Sequence, residues 1–191
     1  MKKTFHALAA LSVLCGAGCA TTGHMPDEGM TGIAAGKGLV VFSTGASATN
    51  LVTSTSLRLV QGSSRKMYDK VVVNVDYPFK SHFPGEHGRV HTLQLPPGEY
   101  LFVPQVSNVY LVTTAAPIYR FTVGAGEATY IGNFWIADNQ LTWSDAKSAR
   151  DIDYFRSRNP ALVSLPIVSQ RAEFAMTLDR FESQGTIWGL P

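Results

Sequence analysis

From Gly38 to Ser144 the apolar residues fall in short β-branched and aromatic runs separated by Gly, Ser, Pro and Asn. Runs of this length and composition predict strands. The candidates are Gly38 to Ser43 ("GLVVFS"), Val52 to Val60, Lys70 to Asp76, Arg89 to Leu95, Gly98 to Pro104, Ile118 to Val123, Ala128 to Ile136 and Gln140 to Ser144. Turn signals recur at roughly 10–15 residue intervals, the rhythm of a single antiparallel β-sandwich. In "LQLPPGEYLFV", Pro97 presets φ and Gly98 supplies positive φ, which predicts a type II turn. "FTVGAGEATYIG" predicts a hairpin.

One helix is predicted near residues 145–158, in "SDAKSARDIDYFRSRNP". Ser144 is placed to cap it and Asp145 suits its positive end. Ala146, Ala149, Ile152 and Phe155 line one face, and Asn159-Pro160 stops it. After Pro166 come Phe174, Met176, Leu178, Phe181, Ile187 and Trp188, more apolar surface than a free tail leaves in water. Phe174, Leu178 and Phe181 suggest a second, weaker helix, although Arg171 early and Asp179 and Glu182 late oppose its dipole. This segment, 170–191, either packs back on the domain or docks a partner.

The N-terminus has a different pattern. Met1-Lys2-Lys3 precedes an apolar run to Leu14 and then small residues, an export leader too short to remain across a bilayer. The two cysteines are Cys15 and Cys19, and none follows. Gly16-Ala17-Gly18-Cys19 resembles the lipobox of bacterial lipoproteins, with Gly16 where an aliphatic residue is usual. The resemblance implies cleavage before Cys19, which then carries the lipid and anchors the protein in the membrane. Each methylene buried in the bilayer contributes about 0.8 kcal/mol. Ordinary secretory cleavage after Ala17 or Ala20 is the alternative. Residues 1–18 are therefore the expected signal peptide, 19–37 a Gly/Ala/Thr-rich flexible tether and 38–169 the β-sandwich domain.

"LPPGEYLFVP" followed by "FTVGAGEATYIGNF" resembles uncharacterised bacterial lipoproteins with a transthyretin-like, carboxypeptidase-regulatory-like β-sandwich. The resemblance implies a transthyretin- or Ig-like fold and an envelope location. It implies no activity and no functional residues.

The chain's 191 residues are enough for one packed domain. Lys2 and Lys3 lie in the leader; the other Lys and Arg residues balance 14 Asp and Glu, so nothing in the charge favours nucleic acid as a partner. His82, Glu86, His87 and His91 fall within ten residues in "HFPGEHGRVH" and are the metal-ligand candidates. His82 and His87 are expected in a Pro/Gly loop and His91 on the next strand, an arrangement better suited to solvated loop histidines than to a metal site. "GAGE" at Gly124 precedes a strand rather than a helix, and "GASAT" at Gly45 lacks the second glycine of a nucleophile elbow. Asp151 and Asp153, two apart on a helix, point roughly 200° away from each other and read as a solvated face. Phe134, Trp135, Trp143, Tyr77, Phe79 and Phe83 are expected to fill the core or cover its ends rather than line a ligand groove. The expectation is a lipid-anchored envelope protein, in the outer membrane facing the periplasm, with a non-catalytic binding or structural role and no cofactor. Its expected partner is another envelope protein or a surface polymer. The alternative is a metal-binding or hydrolytic enzyme built on the 82–91 loop.

Overall fold

A computed structural model describes residues 28–47, 55–62, 66–74, 81–84, 87–106, 113–138 and 140–181. The chain is mainly β, with ten strands and one α-helix described. The strands are β1 (Gly38–Ala46), β2 (Thr55–Gln61), β3 (Lys66–Asn74), β4 (His87–Leu95), β5 (Gly98–Val106), β6 (Thr113–Val123), β7 (Ala128–Ala137), β8 (Gln140–Ser144), β9 (Ile167–Ser169) and β10 (Glu173–Phe181). The helix is α1 (Ser148–Arg158), followed by a 3-10 turn at Pro160–Leu162.

The strands form two five-stranded sheets. The first has the order β4-β1-β7, and the far edge of β7 is shared by β9 along residues 128–130 and β8 along 133–137. The second has the order β10-β6-β5-β2-β3. Between them lies a core rich in rings: Phe42, Phe102, Phe121 and Phe134 are essentially inaccessible, with Phe102 edge-on to Phe134 at a centroid distance of 5.2 Å. A second apolar layer covers the outer face of the first sheet. There Leu39, Val41, Val90, Ala128 and Tyr130 pack against Phe155 of α1, Leu162 of the 3-10 turn and Met30.

The first sheet is mixed, which corrects the all-antiparallel expectation: β1 runs parallel to β7, and so does β9. The physical reason lies in β1. All nine of its residues are buried, because one face meets the second sheet and the other meets the helix layer. Strands covered on both faces read as continuous apolar runs, as "GLVVF" does. The two expected turns also differ. Both "LPPGE" and "VGAGE" carry the chain from one sheet to the other, β4 to β5 and β6 to β7, so neither closes a hairpin. Gly98 has φ of +150° rather than the type II value, and the buried Tyr100 pins the crossing by donating its Oη–H to the Pro96 carbonyl at 2.8 Å.

Three further expectations are corrected. The helix begins at Ser148, not Asp145; Ser144 Oγ accepts the Ala146 N–H at 3.1 Å and closes a turn ahead of it. The Phe174–Phe181 stripe is strand β10, paired antiparallel with β6. Residues 28–37 of the expected tether lie on the domain. Asn159 Oδ1 accepts the Met30 N–H at 2.9 Å, Gln94 Oε1 accepts the Ala34 N–H at 2.7 Å, and Gln94 Nε2 donates to the Gly32 carbonyl at 3.0 Å. Two buried side-chain amides thus satisfy backbone groups that a short irregular segment cannot pair internally. Cys19, the leader and residues 182–191 lie outside the described residues.

Candidate functional site

The polar groups that gather in one place do so between α1 and the outer face of the first sheet. Asp151 stands one turn before Phe155 and two before Asn159, so the three form an inward stripe at i, i+4, i+8, each 0–1% exposed. This corrects the expectation that Asp151 belongs to a solvated face. Its Oδ2 accepts the hydroxyl hydrogens of Ser43, from β1, and of Tyr130, from β7, the latter at 2.7 Å. Its Oδ1 accepts Arg150 Nε and Nη2 at 2.9 and 2.8 Å. Asn133 Nδ2 donates to Ser43 Oγ at 2.7 Å.

A bulge in β7 makes this convergence possible. Val41 pairs with Tyr130 but Ser43 pairs with Asn133, so β7 carries one extra residue at Ile131–Gly132. Ile131 faces the inner core, while the extra residue returns Asn133 to the helix side beside Tyr130. Gly132 adopts φ of +111°, and a Cβ there would stand 2.2 Å from Nε1 of Trp143, whose indole N–H donates to the Ile131 carbonyl at 2.7 Å. Only glycine fits both the backbone and the overlying ring.

Burial pushes the Tyr130 phenol well above its ordinary range, and the adjacent Asp151 charge adds to the rise. The tyrosine therefore remains a proton donor to Asp151 at neutral pH. Each group in the cluster is occupied by another: Ser43 Oγ, fully buried, accepts from Asn133 and donates to Asp151. The arrangement ties a helix to a sheet, with four donors on one carboxylate, and its chemistry is that of a buried brace.

Arg150 carries the cluster to the surface. Its guanidinium lies over the Phe83 ring, 3.8 Å from the centroid, and Phe83 meets Tyr154 edge-on at 5.4 Å. His82 stacks on Tyr154 at 4.6 Å, and its Nδ1 accepts the Val90 N–H at 3.1 Å. Burial, then the charges of Arg89 and Arg158, lowers the His82 pKa to about 4 against an opposing pull from Glu28. Native His82 is thus neutral where the unfolded chain protonates it. Stability should rise with pH from about 4 to about 6.5, by about 1–2 kcal/mol after allowing for partial exposure. Urea unfolding at pH 7 and pH 4.5 checks this: His82→Phe, which keeps a ring but cannot titrate, should lose less stability on acidification than the native chain. Equal losses would remove His82 as the cause.

The three described metal-ligand candidates, His82, His87 and His91, do not come together as a set. His82 is on the helix side of the first sheet. His91 is 2% exposed on the opposite, inner face, with Nε2 2.7 Å from Thr44 Oγ1 and its ring stacked on Phe42 at 5.1 Å. The solvated loop histidine expected at position 82 is instead half-buried against Tyr154. His87 opens β4, four residues from His91 and therefore about 13 Å along the strand. Glu86 lies outside the described residues. Among the described residues no group of three or more His, Cys, Asp or Glu could hold a metal. A shallow groove elsewhere is lined by Glu99, Arg120, Thr122, Arg171 and Glu173. Arg120 sits between Glu99 at 3.7 Å and Glu173 at 4.0 Å, exposed pairings of little energetic weight.

Of the aromatic candidates, Phe134 is in the inner core and Trp143 packs against it, while Tyr77 and Phe79 lie outside the described residues. Sequence reasoning missed Ser43, Tyr130, Asn133 and Asp151. A signal existed in the carboxylate one helical turn before Phe155, the buried apolar residue of α1. No family model, curated protein or solved structure matches the chain.

Proposed function

We propose that this chain is a lipid-anchored cell-envelope protein, held in the membrane through Cys19, whose domain has a binding or structural role rather than a catalytic one. The observation that carries the reading is the reception of the N-terminal segment. Chain arriving from Cys19 is seated from Glu28 onward by Arg158, Asn159 and Gln94, so the domain is attached to its leader side at a defined place. The buried Asp151 cluster adds support, because its serine is engaged inside a brace. The rival reading, a metal-binding or hydrolytic enzyme on the 82–91 loop, has against it the placement of His82 and His91 on opposite faces of one sheet.

The partner in this reading is another envelope protein or a surface polymer, and the membrane is the outer one, with the domain facing the periplasm. We also assign the two sheets to the transthyretin- and Ig-like sandwich class. The support is the pair of sheet-crossing turns and the Tyr100 hydroxyl bonded back to Pro96, an arrangement akin to the tyrosine corner of Greek-key sandwiches. Expression of the full chain in a Gram-negative host with labelled palmitate tests the anchor. The chain should incorporate label and partition into detergent, and Cys19→Ser should lose both. Undiminished labelling of Cys19→Ser, or a soluble native chain, would overturn it.

A further inference from the structure

The N-terminal segment leaves the domain at the C-terminal end of α1. Glu28 is ion-paired with Arg158, the Gly29 N–H donates to the Arg158 carbonyl at 3.1 Å, and Met30 is held by Asn159. Directly after Asn159 the chain makes its 3-10 turn, and the surface becomes apolar. Leu162 points inward, whereas Pro160 and Ala161 are exposed and Val163 is 59% exposed. Among the described residues only Val168 and Phe174 are large apolar side chains of comparable exposure. Arg156 and Arg158 occupy the last turn of α1 beside this tip, and Arg158 pairs with the carboxylate of Glu28.

An apolar turn flanked by arginines, at the point where an anchored chain emerges, matches a lipid surface with anionic headgroups. We propose that the Pro160–Val163 turn and the arginines at that end of α1 form the surface on which the domain rests against the anionic bilayer carrying its anchor. The proposal rests on the reading of Cys19 as that anchor. Eight residues lie between Cys19 and Glu28, and a random-coil chain of eight residues has a root-mean-square span of about 16 Å. That is close to the radius of gyration of about 15 Å expected for ~150 residues, so the exit side of the domain is the side held toward the membrane. Tethering supplies the effective concentration, and the contact itself need only be weak.

The test uses the full-length lipoprotein with an environment-sensitive fluorophore on Val163→Cys or, on the exposed face of the second sheet, Thr122→Cys. Each protein is reconstituted into phosphatidylcholine vesicles with brominated acyl chains, with and without phosphatidylglycerol. Quenching should be strong at position 163 and weak at position 122 when phosphatidylglycerol is present. Arg156→Gln or Arg158→Gln should each reduce the contact about fivefold. Equal quenching at the two positions, or quenching at 163 indifferent to phosphatidylglycerol, overturns the proposal while flotation of the protein with the vesicles leaves the anchor standing. Failure of the full chain to float, as expected only for Cys19→Ser, overturns the anchor and this surface with it.

Discussion

Asp151→Ala is expected to destabilise the domain by about 2–4 kcal/mol, the cost of leaving two buried hydroxyl donors without their acceptor and a partly exposed guanidinium without its charge partner. Four donors converge on this carboxylate: the hydroxyls of Ser43 and Tyr130, and two guanidinium nitrogens of Arg150. Alanine leaves them facing a hole in a layer where Ser43 and Tyr130 are 0–1% exposed. A domain of ordinary stability has about 5–15 kcal/mol in total, so the variant should be marginal at 37 °C. Ser43→Ala should cost less, about 1–3 kcal/mol, because Asp151 keeps Tyr130 and Arg150 while Asn133 loses an acceptor. Urea unfolding of the leaderless chain carrying Cys19→Ser measures both. A loss under about 1 kcal/mol for Asp151→Ala would mean that the brace contributes little and that the helix is held by Phe155 and Leu162 alone.

The brace also marks where sequence reasoning stopped. Local strand signals were sound because β-branched runs and Gly/Pro punctuation act over a few residues: "GLVVF", "RVHTLQL" and "ATYIGNFWI" all lie in strands. Sheet membership is a non-local property. Nothing within "LPPGE" distinguishes a hairpin from a crossing between sheets; the difference lies in which strands β4 and β5 find as neighbours, β1 for one, β2 and β6 for the other. The same holds for His91. Its neighbours on β4 alternate faces as a strand requires, but only the pairing of β4 with β1 shows that its face is the inner one, against Phe42.

The apolar face Ala146, Ala149, Ile152 and Phe155 leaves Asp151 on the solvent side of a helix. The true buried stripe runs through Asp151, Phe155 and Asn159. A polar residue on each side of a buried phenylalanine at i−4 and i+4 is legible in sequence once polar side chains are allowed to have partners. Those partners were not legible, since Asn133 reaches the cluster only because the Gly132 bulge shifts the face of β7. The N-terminal segment misled for a related reason. Its composition is that of a linker, and what seats it is two amides supplied by residues 60 and more positions away.

Truncation after Ser169 is the second change expected to have a large effect. A helical stripe at Phe174, Leu178 and Phe181 also contains the alternation Phe174, Met176, Leu178, and the unfavourable charges at the ends of the supposed helix favoured the strand. Strand β10 pairs with β6 from Glu173 opposite Arg120 to Phe181 opposite Thr113, with a shift between Phe174 and Met176. Removing it strips one edge of β6 of its backbone partners. It also removes the buried Ala172 and the Gln170 N–H bond to the Tyr130 carbonyl at 2.8 Å. With a net contribution of about 0.5–1.5 kcal/mol per backbone hydrogen bond, the loss of this ladder should reach about 4 kcal/mol or more and leave the domain near its unfolding threshold. Truncation after Phe181 keeps the strand and separates packing on the domain from docking of a partner. If that shorter deletion leaves the melting temperature unchanged but releases an envelope partner that co-purifies with the full chain, residues 182–191 are the docking element. A chain ending at Ser169 that melts like the native protein would instead show that β10 adds nothing to the sheet it borders.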